Sequence, residues 1–277
     1  MYTVLHLTDH HWPFVDDTAI DLSKKALHML QPDMVVFGGD LIDGYSISRF
    51  KKRSDKFYGL QTELDKALAY LAECRQLAPQ AVFEFTPGNH EKRIYNYIDN
   101  NAPGIGTLRA LALADLFDAE KFGMRVHQFR GGPRVGEILF THGAMIRKNA
   151  GASAKAMAER YGCSIAMGHA HRLGCTPCTH GLEITYAYES GCLCSLTQDY
   201  VEVPPDWQNA FSLFVFYGKQ RETHTWIPVS LHQPQPLLLL DAYSRKSTTR
   251  KRTSASSKGR SKTTKSTARK PVSRKRR

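Results

Sequence analysis

Five clusters of Asp, Asn and His are spaced through residues 9–171: Asp9-His10-His11, Asp40-Leu41-Ile42-Asp43, Asn89-His90-Glu91, Thr141-His142-Gly143 and His169-Ala170-His171. Three of them are introduced by glycine, at Gly39, Gly88 and Gly168. Carboxylate, carboxamide and imidazole together form a donor set that suits divalent cations. Each cluster stands directly behind a short apolar run, such as Val4-Leu5-His6-Leu7, Met34-Val35-Val36-Phe37 or Ser164-Ile165-Ala166-Met167. Short apolar runs bounded by Gly or Pro read as buried strands. In open α/β sheets ligands bind beyond the carboxyl ends of such strands. Five strand ends that converge would therefore build one polar, cation-binding site.

The elements that must position these residues follow from periodicity. Strands are expected at 2–8, 34–38, 81–86, 124–129, 136–141 and 163–168. Helices are expected at 17–30, 60–77, 92–97, 107–117 and 152–161, the second with Leu60, Leu64, Leu68, Leu71 and Cys74 on one face. Beyond Arg172 the pattern changes to strands at 182–188, 211–217 and 223–229 without long helices between them. Crossover strands followed by hairpin strands imply an α/β protein of two packed sheets flanked by helices. Pro234 and Pro236 mark the end of this unit. The reading is a catalytic domain over 1–232, a linker over 233–243 and a tail over 244–277.

The order and wording of the clusters resemble the calcineurin-like metallophosphoesterase superfamily, whose pattern runs D-x-H, G-D-x-x-D, G-N-H-[DE], an H-G pair, then G-H-x-H. The resemblance implies a four-layer αββα sandwich of two mixed sheets and a binuclear phosphoesterase. One divalent ion would be held by Asp9, His11, Asp40 and His171, the other by Asp40, Asn89, His142 and His169, with Asp40 shared. Mn2+ leads the expectation, with Fe2+, Zn2+ and Mg2+ as alternatives, and a hydroxide bridging the ions would attack the phosphorus. His90 would donate a proton to the leaving oxygen or stabilise the transition state, while Asp43 and Glu91 would orient ligands and the third cluster's turn.

The family's substrates are diverse, and two departures narrow them. Gly44 stands where the Ser/Thr protein phosphatases carry an Arg after the second cluster, and Pro87 stands where they carry another before Gly88. Phosphoprotein is therefore disfavoured. Other basic residues follow the ligand loops: Arg49, Lys51, Lys52, Arg53 and Lys56, then Lys92 and Arg93, Arg147 and Lys148, and Arg172. Arg53, Arg93 and Arg172 are the candidate substrate contacts, and a polyanion is the substrate they fit.

Charge distribution points the same way. Residues 244–277 hold 15 of the 38 Lys and Arg and none of the 26 Asp and Glu, which leaves residues 1–243 at −3. A Ser, Thr, Lys and Arg tail cannot bury enough apolar surface to offset the entropy of ordering, so disorder and nucleic-acid binding are expected of it. The leading reading is a nuclease-like phosphodiesterase. A phosphatase or phosphodiesterase acting on nucleotides and a nucleic-acid-binding protein with a vestigial site are the alternatives. With strand one at the start of the chain and no apolar run of spanning length, a cytoplasmic protein without membrane contact is expected. Cys175-x-x-Cys178 and Cys192-x-Cys194, with His180 nearby, could bind zinc or be reduced cysteines on adjacent strands. His6, His10 and His127 read as structural histidines.

Overall fold

The computed structural model describes residues 1–50, 52, 57–197 and 205–233, with 236, 238, 243 and 244. The basic tail beyond Ser244, most of the 233–243 linker, and Arg53 with Lys51 and Lys56 lie outside the described residues. The first sheet is built from β1 (Tyr2–Leu7), β2 (Met34–Phe37), β3 (Val82–Phe85), β4 (Met124–Val126), β10 (Ala210–Tyr217) and β11 (Thr223–Ser230), in the order β11-β10-β1-β2-β3-β4. The second contains β5 (Arg134–Val135), β6 (Ile138–Thr141), β7 (Ser164–Met167), β8 (Leu173–His180) and β9 (Glu183–Ser190), in the order β5-β6-β7-β9-β8. Both are mixed, with β1 to β4 parallel and β6, β7 and β9 parallel, edged by antiparallel strands. The helices are α1 (Asp17–Leu30), α2 (Leu60–Leu77), α3 (Asn89–Asn101), α4 (Leu113–Leu116) and α5 (Ala152–Tyr161).

Alternation along each strand sorts the core into three layers. Leu5 and Leu7 of β1, Val35 and Phe37 of β2 and Leu213 of β10 pack with Ile20, Leu27, Leu64 and Leu71 of α1 and α2. Val4, Val36, Phe214 and Phe216 point the other way and meet Ile138, Phe140 and Ala166 of the second sheet. Leu139, Ile165 and Met167 then face Ala154, Met157 and Ala158 of α5. Three apolar layers between four structural ones make the αββα sandwich. At about 1.5–3 kcal/mol for each fully buried Leu, Val or Phe, the register of every strand is fixed, because a one-residue slip would exchange two cores. Among the described residues no helix is long and apolar enough to cross a membrane.

Three elements depart from the periodicity reading. The helix expected at 92–97 runs from Asn89, so it begins with a candidate ligand. The helical stretch at 107–117 breaks into a 3-10 turn at Arg109–Leu111 and the single turn α4. Within the stretch only Leu113 and Phe117 are buried, a face too narrow to hold three turns of helix. Strand β8 escaped detection because Gly174 and Pro177 interrupt it. It lies at the sheet edge, where a proline costs no shared ladder bond.

Candidate metal centre

The ends of β1, β2 and β3 meet the ends of β6 and β7 along one edge of the sandwich, and each delivers its cluster there. The chain leaves β1 through Asp9 (φ 54°) and His11 (φ 55°), β2 through Asp40 (φ 48°), and β7 through His169 (φ 63°) and His171 (φ 57°). Left-handed backbone costs a non-glycine residue about 1–3 kcal/mol and concentrates at functional sites. Two glycines serve a different need. Gly88 has φ −98°, an ordinary value, but a Cβ there would strike Asp40 and His142, and one on Gly168 would strike Thr8 and Asp9. Five of the candidate ligands take the strained turns, and the two glycines give their neighbours room.

Two groups of donors result. In the first, Asp9, His11, Asp40 and His171 converge: His171 Nε2 lies 3.1 Å from Asp9 Oδ1 and 3.2 Å from His11 Nε2, which lies 3.8 Å from Asp40 Oδ2. In the second, His142 Nε2 lies 3.3 Å from Asp40 Oδ2 and 3.1 Å from both Asn89 Oδ1 and His169 Nδ1. Asp40 belongs to both. All but His169 and Asn89 are buried.

The two aspartates are held by backbone donors from facing loops. Asp40 Oδ1 accepts the His90 N–H at 2.8 Å, so it caps α3, whose own N-cap residue, Gly88, has no side chain to do so. Asp9 accepts the His169 N–H at 3.0 Å and the Thr8 hydroxyl. A helix N-terminus and aimed N–H groups favour the ionised carboxylate. Glu91 fixes the same corner, accepting from Gly88 N at 2.7 Å, Asp40 N at 3.0 Å and Leu41 N at 2.7 Å.

Electrostatics mark the centre as a place for positive charge. Burial alone would lower His142 and His171, but Asp40 beside the first raises it to about 10, and Asp9 beside the second raises it to about 9. The same contacts outweigh burial on the acids: His171 holds Asp9 down to about 2, and His142 and His90 hold Asp40 well below the carboxylate range. His169, lowered to about 4 by burial and by His142, offers a neutral nitrogen. Imidazole nitrogens facing one another at 3.1–3.2 Å, with carboxylates beside them, fit divalent cations better than the protons that must otherwise balance the charge.

A model of the calcineurin-like phosphoesterase family matches residues 2–173, which carry all five clusters. The chain belongs to that family. Two relatives, the Gene 54 proteins of Mycobacterium phages D29 and L5, are 29% and 28% identical over 241 and 242 residues, 78% of this chain and 89% of each relative. Similar solved structures include Vps29 of Chaetomium thermophilum, with 14% identity over 84% of this chain and 100% of that one and a TM-score of 0.43. Vacuolar Protein Sorting 29 of Cryptosporidium parvum has 13% identity over 84% and 98%, with a TM-score of 0.39.

Around this calcineurin-like centre, His90 lies within 3.7 Å of Asp40 Oδ2. Its Nδ1–H donates to the Asp43 carbonyl at 2.7 Å, and its Nε2 accepts from Arg93 Nη2 at 3.0 Å. Both partners demand the neutral tautomer, and burial lowers the ring to about 3. Held this way, Nε2 serves as the acceptor for Arg93. Asp43 supports His11 through Oδ2 at 3.0 Å and receives Arg93 Nη1 on its carbonyl at 2.7 Å. Arg172 is turned elsewhere: its Nη1 donates to the Arg147 carbonyl at 2.6 Å, which ties the start of β8 to the loop beyond His142.

Of the two readings of the cysteines, the described residues favour reduced thiols over a zinc site. Cys175 is exposed and Cys178 buried, as opposite faces of β8 require, while Cys192 and Cys194 lie in the turn after β9 rather than on a strand. Among the described residues, the one potential metal group containing a cysteine joins Cys194 to His11 and His171. Cys194 Sγ lies 3.8 Å from His171 Nδ1, and Trp207 packs edge-on to the same imidazole at 4.3 Å. The three histidines read as structural find core environments. His6 bonds Ser190 Oγ at 2.9 Å, His127 bonds Glu84 at 2.6 Å, and His10 packs between Phe37 and Tyr70.

Sequence reasoning passed over two buried glutamates. Glu63 of α2 accepts from Gly44 N at 2.5 Å and Tyr45 N at 3.0 Å, which holds the loop that presents Asp43. Glu189 of β9 accepts from Gly151, Ser153 and Ala154, capping α5 in place of a side chain on Gly151. A signal existed for Glu63: it lies beside the apolar stripe of α2, where a charge needs a partner.

Proposed function

We propose that this chain hydrolyses phosphodiesters, with nucleic acid or a nucleotide ester as substrate. One observation carries the reading: two grooves meet at Asn89. The larger, about 430 Å3, includes Arg49, Phe50, Arg93 and Tyr97. The smaller, about 220 Å3, includes Lys92, Phe129, Arg130, His142 and His169. A monoester needs space on one side of its phosphorus, a diester on both. Each groove carries cationic side chains and an aromatic ring, which suits charged, ring-bearing substituents.

Two divalent cations, Mn2+ foremost, would be held by Asp9, His11, Asp40 and His171 and by Asp40, Asn89, His142 and His169. When bound they supply charge against the phosphate and water of lowered pKa. The chain's own residues do the rest. Asp43, Glu91 and Glu63 hold the loops so that no donor must reorganise as substrate arrives. Arg93, anchored by the Asp43 carbonyl and His90, presents its guanidinium at the mouth of the larger groove. There it can pair with a phosphoryl oxygen, while His90 keeps it aimed.

Turnover with Mn2+ of bis(p-nitrophenyl) phosphate against p-nitrophenyl phosphate tests this reading. A higher kcat/KM on the diester, abolished by EDTA, is expected; a preference for the monoester sinks it. The tail supports nucleic acid as the partner, since 15 cations without an acid bind phosphate backbones irrespective of sequence. Truncation after Tyr243 should raise KM for a long oligonucleotide and flatten its salt dependence. Unchanged values would leave the nucleotide ester as the substrate.

A further inference from the structure

The larger groove has a composition that metal-assisted hydrolysis alone does not require. Its floor is one face of α3: Asn89, Arg93, Asn96, Tyr97 and Asn100 follow one another at helical spacing from the metal centre outward. The opposite face of the same helix, His90, Glu91, Ile94 and Ile98, is buried, so the polar stripe is the helix's outward side. The facing wall is Ile47, Ser48, Arg49 and Phe50. Tyr97 is 45% exposed, so its ring remains accessible. Asn96 and Asn100 make no side-chain hydrogen bond among the described residues, whereas Asn101 is tied to the Tyr97 carbonyl at 2.8 Å.

We infer that this groove binds the nucleoside on one side of the scissile phosphate, with Tyr97 stacking on the base and Asn96 and Asn100 bonding its edge. A nucleobase offers a flat π face and an edge of alternating donors and acceptors. Aromatic rings suit the first and carboxamides the second. An acyl chain would leave the carboxamides unpaired, and an acidic peptide has no ring to stack. The dimensions agree. Tyr97 lies eight residues beyond Asn89, about 12 Å along the helix axis, which leaves room between them for a phosphate, a ribose and a base. A volume of 430 Å3 lies within the usual ~300–1,000 Å3 of small-molecule sites. Arg93, one turn from Asn89, stands at the phosphate end.

The inference rests on the phosphodiester reading, and the test separates the two. Full-length protein with Mn2+ is assayed on bis(p-nitrophenyl) phosphate, on the p-nitrophenyl ester of thymidine 5′-phosphate and on a short oligothymidylate. If the wild type turns over none of them, the phosphodiester reading fails. If it turns them over, the quantity read is kcat/KM on the thymidine ester divided by that on bis(p-nitrophenyl) phosphate. Tyr97→Leu should lower this ratio roughly tenfold, the scale of one lost base–aromatic contact. Tyr97→Phe, which keeps the ring, should retain it, and Asn96→Ala with Asn100→Ala should lower it further. A parallel loss on the oligothymidylate identifies a strand as the source of the base; a loss confined to the thymidine ester identifies a free nucleotide ester. An unchanged ratio, or a loss equal on both small substrates, overturns the nucleoside groove and leaves the phosphodiester reading standing.

Discussion

The two donor groups share Asp40 but differ in everything around it. Asp9, His11 and His171 are sealed, with Cys194 and Trp207 behind His171 and Asp43 behind His11. Asn89 and His169 face outward, and both grooves reach the centre at Asn89. The sealed half is built to hold charge in a fixed place, where hydrogen bonds and low dielectric make each donor count for more. The open half must hold charge and still admit a substrate, so two of its four donors, Asn89 and His169, lie nearer to solvent. Divided this way, one half secures the site and the other faces the chemistry.

The change with the largest expected effect removes the residue common to both halves. Asp40→Asn keeps shape but takes away one charge, and it weakens the oxygen that caps α3 at His90 N. Loss of activity should exceed ~10⁴-fold, the upper range for a single proton-transfer group, and metal content should fall in both halves. Metal analysis alongside kinetics checks it: an Asp40→Asn variant that keeps two metals per chain and near-normal turnover would remove Asp40 from the centre. The halves separate in the next pair. His171→Ala, on the sealed side, should cost mainly metal content. His169→Ala, on the open side, should cost more kcat for each metal retained. Equal profiles would erase the division of labour.

A smaller loss is expected at the boundary. His90→Ala should retain metal and lower kcat by about 10²-fold, the low end for loss of an acid–base group, because His90 acts by aiming Arg93. The neutral tautomer fixed by Asp43 and Arg93 predicts equal losses on good and poor leaving groups, and Arg93→Ala should reproduce most of the effect. A loss that shrinks on nitrophenolate esters would mean that His90 takes up a proton in the complex and donates it, and would refute the positioning role.

Much of this architecture could be read from residue order, for physical reasons that differ by element. Helices α1, α2 and α5 bury a continuous apolar stripe, so periodicity located their ends. Strand β8 and the 107–117 region carry no such stripe, and edge position or exposure decided their form instead. The candidate ligands were legible because each of their clusters directly follows a short apolar run that ends a buried strand. What could not be read was support from outside the local sequence. Asp40 capping a helix 50 residues away, Glu63 bracing Gly44, and the Arg93–His90–Asp43 chain are contacts that no spacing encodes. The cysteine spacing left two readings open for the complementary reason: x-x between Cys175 and Cys178 suits a turn, but on a strand it sends the two thiols to opposite faces.

The mildest test uses protons rather than mutations, and it addresses each half through its own histidine. Without metal, His171 in the sealed half is raised to about 9 and His142 in the open half to about 10, despite the burial that lowers both, because Asp9 and Asp40 lie beside them. The ordinary value is 6.5, so both rings are protonated at neutral pH in the metal-free fold. A cation needs the neutral imidazole, and each metal must displace a proton. Calorimetry at pH 7.5 in buffers of different ionisation enthalpy should therefore show release of about one proton per metal, and affinity should rise with pH until the rings titrate. Stability follows the opposite course without metal. A raised folded-state pKa contributes stability that is complete below the unfolded value and is lost as pH climbs through the folded one. The metal-free protein should thus lose Tm between about pH 7 and 10, while the Mn2+-loaded protein holds or gains it over the same window. Metal binding without proton release, or parallel Tm curves in the two states, would show that the histidines of neither half exchange a proton for the ion.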